Sequence, residues 1–111
     1  MSQRLFALPI LPGKTEQARA FMRALAGERK EEFAACERWL GATKEIWTIQ
    51  SGPQGDLLIC YWAVADGDQG GNTFVTSKEA FDVWFNAQLG EITGPGWSGR
   101  TANEILADYE A

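Results

Sequence analysis

The stretch Lys44–Ala65 holds two apolar, β-prone runs, Glu45–Gln50 and Leu57–Ala65, on either side of Ser51-Gly52-Pro53-Gln54-Gly55-Asp56. Val, Ile, Trp and Tyr fit a pleated surface, and a short Gly/Pro-rich connector reverses the chain, so the stretch reads as a hairpin. Pairing Ser51 with Asp56 puts Trp47, Ile49, Leu58, Cys60, Trp62 and Val64 on one face. Ile46, Thr48, Leu57, Ile59 and Tyr61 fall on the other. Both faces are largely apolar. A hairpin cannot bury two such faces alone, so helices must cover one side and something else the other.

The 111 residues form one domain, 1–111, and 45% hydrophobic content supports a real core. A net charge of −5 without a basic cluster argues against nucleic acid and against anionic membrane surfaces as partners. The chain has no histidine. That removes Ser-His-Asp and Cys-His catalysis, imidazole ligation of haem and the commonest zinc sites. No metal and no cofactor is called for. Cys36 and Cys60 form no CxxC motif and read as reduced, buried thiols of a cytoplasmic protein. The start, basic at Met1–Arg4 and apolar at Leu5–Leu11, is not expected to act as a secretory leader, because Pro9 interrupts it and Lys14, Glu16 and Arg19 crowd the cleavage region. No apolar run approaches the ~20 residues of a membrane span.

In chain order, Arg4–Leu11 reads as a first strand, with Pro9 confining that end to an edge or bulge. Pro12-Gly13-Lys14 turns the chain into a helix from Thr15. At 100° per residue from Ala18, Phe21, Met22, Leu25, Ala26, Phe33, Cys36, Trp39 and Leu40 fall within an arc of roughly 140°. One long helix is therefore expected, with Gly27 on its solvent face and Gly41 as its stop. Asp66–Thr76 is a connector, and Ser77 caps a second helix, Lys78–Leu89, burying Phe81, Trp84, Phe85 and Leu89. Glu104–Glu110 alternates as a last strand; Thr101 and Glu104 offer a capping box as the alternative. The expected fold is α+β, ferredoxin-like β-α-β-β-α-β, with a four-stranded antiparallel sheet and two helices on one face.

Three motif-like strings do not carry the chemistry they resemble. Gly13-Lys14-Thr15 lacks the first P-loop glycine, and Pro9 and Pro12 each remove a phosphate-binding donor. Gly94–Gly99 spells GxGxxG after a helix rather than after a strand. Asp66–Gly71 opens like a calcium loop, but Ser77 stands where its bidentate Glu belongs.

Polar residues on buried helix arcs are the candidate site. Arg29 and Glu32 fall inside the first arc, and Gln88 inside the second. With Trp62 and Trp84 as walls they outline a ligand pocket in which Arg29 fixes an anion. Read without a ligand, Arg29 and Glu32 are a solvated pair and Gln88 satisfies a backbone group. Glu32, if buried, is the candidate base.

The strand, long helix opened by Gly13-Lys14-Thr15, Trp/Ile hairpin, second helix and last strand resemble the dimeric α/β-barrel superfamily over nearly the whole chain. Pro12-Gly13-Lys14-Thr15-Glu16 and Phe81-Asp82-Val83-Trp84 are most similar to an uncharacterised bacterial family within it. The resemblance implies a homodimer whose sheets face each other to form a barrel, here through Ile46, Thr48, Leu57, Ile59 and Tyr61. The superfamily includes cofactor-independent monooxygenases, haem-degrading monooxygenases, muconolactone isomerases and mutarotases. The histidines that several of these need have no counterpart here. Two functions follow as expectations. One is a small-molecule-binding or accessory homodimer; the other is a cofactor-independent monooxygenase or isomerase of a small aromatic or polyketide-like substrate.

Overall fold

In the computed structural model, which describes residues 2–65 and 74–111, a three-stranded antiparallel sheet carries three helices. The strands are β1 (Ser2–Pro9), β2 (Ala42–Gly52) and β3 (Gly55–Val64), in the order β1-β3-β2. The helices are α1 (Thr15–Ala26), α2 (Lys30–Leu40) and α3 (Ala80–Thr93), the last followed by a 3₁₀ turn at Gly94–Gly96. The calcium-like string Asp66–Gly71 and most of the connector lie outside the described residues.

The hairpin has the register in which Ser51 faces Asp56. Its inner face delivers Leu58, Cys60, Trp62 and Val64 to the core, joined from β1 by Phe6 and Leu8. Thr15 Oγ1 donates to Asp56 Oδ2 at 2.6 Å, tying the start of α1 to the hairpin turn. That bond holds the Asp56 carboxyl below its usual range. The outer face, with Ile46 at 42% exposure and Leu57, Ile59 and Tyr61 half-buried, stays open.

The four-stranded, two-helix ferredoxin-like arrangement does not form, for two separate reasons. The first is a break in the expected long helix. Gly27 leaves helical geometry at φ −120°, ψ −100°, and the N–H groups of Gly27 and Arg29 both close on the Ala24 carbonyl. α2 restarts at Lys30 with a shifted phase. Trp39, expected in the buried arc, is therefore 65% exposed, while Glu37 turns inward. Gly27 is the weakest helix former at that point, and the tertiary packing resolves the weakness as two helices.

The second reason is the absent fourth strand. α3 runs on to Thr93, and Trp97 is pinned behind it by an Nε1 donation to Asn86 Oδ1 at 2.7 Å. The chain then reaches the free edge of β1, where Asn103 N–H donates to the Leu5 carbonyl. Residues 101–111 are exposed throughout and form neither strand nor helix. A strand needs one face covered, and among the described residues nothing covers either face here.

The core centres on Phe85. Its ring meets Phe21 at 5.1 Å, Phe74 at 5.3 Å, Phe81 at 6.0 Å, Trp97 at 6.2 Å, and Phe33 and Trp47 at 6.3 Å. Phe85→Ala should lower the unfolding free energy by about 4 kcal/mol, while Val83→Ala, half-exposed on the same helix, should stay within about 0.5 kcal/mol. Urea unfolding of both variants checks this; equal effects would show that Phe85 is not the packing centre.

Candidate functional site

Side chains on one parity of a strand share a face, and the three strands put three such residues side by side. Arg4 on β1 pairs with Trp62 on β3, which pairs with Glu45 on β2. A positive and a negative group thus flank an indole on the inner face. The next row inward is Phe6, Cys60 and Trp47. α2 lowers Glu37 and Leu40 over these rows, and Phe85, Phe74, Trp97 and Arg100 close the remaining sides.

The space between these residues is about 50 Å³ and is partly open to solvent. That space admits a few water molecules, and its open side leaves room for a ligand of several heavy atoms. Phe6, Trp62, Phe74, Phe85 and Trp97 supply aromatic walls. The Arg4 guanidinium lies 5.6 Å from the Trp62 ring centre, and that of Arg100 lies 3.9 Å from Trp97 and 5.5 Å from Phe6. Arg100 also donates to the Trp97 carbonyl at 3.2 Å.

The chemical centre of the cavity is a carboxyl pair. Glu37 and Glu45 hydrogen-bond to each other through their side chains. A hydrogen bond between two carboxyl groups needs a proton shared between them. Each is also held by an indole: Trp62 Nε1 donates to Glu37 Oε2 at 3.3 Å, and Trp47 Nε1 to Glu45 Oε2 at 2.7 Å. Burial is the main force raising both carboxyls above the usual range. At Glu45 the neighbouring Glu37 charge adds to it and the Trp47 bond opposes it. At Glu37 the bonds from Glu45 and Trp62 both oppose it. Burial also raises the nearby thiols of Cys36 and Cys60, and both cysteines are free.

The five residues singled out from sequence do not converge on one cavity. Trp62 lines the space just described. Arg29 lies 4.1 Å above the Trp84 ring and bonds Glu32 Oε1 at 3.3 Å, with 33% and 52% of their side chains exposed. Trp84 packs edge-on against Phe21 at 5.2 Å. Gln88 accepts from Gln17 Nε2 at 3.4 Å. Glu32 borders a wider cleft beside Trp39 and Asp82.

Glu37 and Glu45 escaped the sequence reading. For Glu45 the signal was present, because the parity that puts Trp47 and Ile49 on the inner face includes it. Glu37 had no such signal, since its inward turn depends on the break at Gly27. The string Gly94–Gly99 serves as the turn that presents Trp97. Among the described residues, no helix is long and apolar enough to cross a membrane. No protein-family model matches the chain, and no curated protein matches it at a significant level.

The raised pair has a definite sign in stability. The folded protein holds protons that an unfolded chain releases above the ordinary glutamate range of about 4.3. That contribution is complete below this range and is lost as pH rises through the folded values. Glu45→Gln cannot ionise, so its stability relative to the parent protein should climb as pH rises above that range. Unfolding of both across pH measures this, and a pH-independent difference would mean an unshifted pair.

Proposed function

We propose that the protein is a small-molecule-binding homodimer whose ligand is a small carbonyl-bearing compound held in the Glu37–Glu45 cavity. The observation that carries this reading is the lining itself. Aromatic walls suit a short carbon skeleton, while a carboxyl O–H and two guanidinium groups suit a carbonyl or carboxylate oxygen. A core without a ligand to serve would gain by packing this space with aliphatic side chains.

The homodimer reading rests on the outer sheet face. Ile46, Leu57, Ile59 and Tyr61 form an open apolar surface around Thr48, and a second copy would bury it by two-fold pairing. Of the two expected activities, the carboxyl pair favours proton transfer of the isomerase kind.

Binding is read from the indole N–H resonances in a ¹⁵N–¹H spectrum titrated with acetone and with pyruvate. Those of Trp47, Trp62 and Trp97 should shift saturably while that of exposed Trp39 stays fixed. Indole signals that do not move, or that all move alike, would overturn the binding reading. In sedimentation the parent protein should run as a dimer and Ile59→Glu as a folded monomer. A monomeric parent protein would overturn the assembly.

A further inference from the structure

We propose that Glu37 and Glu45 act together as an acid–base dyad that enolises a small ketone or 2-oxo acid, moving a proton at the carbon beside the carbonyl. This rests on the cavity binding such a compound, and it adds chemistry to that binding.

The geometry carries the inference. Both carboxyls border one space and their side chains interact, so a single proton shared between them gives that space an acid and a base at one place. Trp47 and Trp62 each donate an indole N–H to one of the two carboxyls, which restrains the orientation of both. The two glutamates come from α2 and β2, so their approach depends on the tertiary fold. Both border the space in which a ligand would sit. Burial raises the proton affinity of both carboxyls, and a carboxylate of raised affinity is the stronger base.

The step balances without a co-reactant. The Glu37 carboxylate takes a proton from the carbon next to the carbonyl. The C–H electron pair becomes the carbon–carbon π bond, and the carbonyl π pair takes the proton of Glu45 at oxygen. The product is the enol, and the dyad still holds one proton, now on Glu37. In the reverse step Glu45 recovers the hydroxyl proton and Glu37 returns one to carbon, to the same atom or, in a conjugated substrate, to another. Arg4 from β1 and Arg100 from the C-terminal loop add positive charge beside the developing oxygen anion. Cys60 on β3 faces the same space, and Cys36 and Asp82 bond each other behind Glu37, at 3.5 Å.

Two measurements on the unaltered protein test the dyad. Infrared spectroscopy at neutral pH should show the carbonyl stretch of a protonated carboxyl, lost in Glu45→Gln; its absence from the parent protein would overturn the shared proton. Proton NMR in deuterium oxide should show the methyl signals of pyruvate or acetone decaying at least tenfold faster with protein than in buffer. Glu37→Gln, a near-isostere, should return the rate to that of buffer. The exchange rate should rise and fall across pH as a pair with one shared proton requires. Saturable indole shifts with no exchange above buffer for either probe would overturn the dyad and leave the binding reading standing. No indole shifts with either probe would overturn both. Exchange undiminished in folded Glu37→Gln would also overturn the assignment. If that variant does not fold, Trp62→Phe, which removes the indole donor to Glu37, should lower the rate and move its pH profile; an unmoved profile would overturn the positioning.

Discussion

Phe85 is the contact through which the layers of this protein hold together. Its ring touches aromatic residues from α1, α2, β2 and its own helix, together with Phe74 and Trp97. Edge-to-face pairs of this kind each add about 0.5–1.5 kcal/mol beyond the area they bury. They also fix ring orientations, because a rotated neighbour loses the favourable edge. Phe85 and Trp97 both wall the cavity, so the forces that order the core also order the site. Asn86 extends this control, accepting from Trp97 and donating to the Phe74 and Asp82 carbonyls at 3.0 and 2.9 Å.

What the sequence revealed followed from local periodicity. The hairpin, its register and its two apolar faces needed only alternation and a short connector, and each is a local property. Periodicity failed where a tertiary choice intervened. A helical phase carried across Gly27 assumes an unbroken helix, and the break rotates every later residue, exposing Trp39 and turning Glu37 inward. The alternation of Ile105, Ala107 and Tyr109 is real, yet Leu106 and Tyr109 stay 85% and 88% exposed because no layer covers them. Alternation specifies a strand only where a face can be buried.

The candidate site separated along the same line. Arg29 and Glu32 are three residues apart across the first turn of α2, and they meet for that local reason. At their exposure such a pair contributes only about 0.3 kcal/mol, and lying over Trp84 adds about 0.5–1 kcal/mol for Arg29. Glu37 and Glu45 meet only after a helix and a sheet have packed. A sequence reading that ranks charges by helical spacing finds the first pair and overlooks the second.

The cavity and its carboxyls both count against stability, and this makes the arrangement informative. The unfilled space leaves the side chains that line it without partner atoms on one side. Buried carboxyls add a desolvation cost that well-packed aliphatic side chains would avoid. Methionine or leucine at the two positions would remove both costs. The fold instead commits two tryptophan donors, one for each glutamate, to keeping the pair in place. Among the described residues, no buried side-chain polar atom lacks a partner, so the pair is no packing oversight. A fully satisfied polar pair facing an unfilled space gives up stability for a definite arrangement of proton donor and acceptor, and such arrangements concentrate where a protein binds or transforms a small molecule.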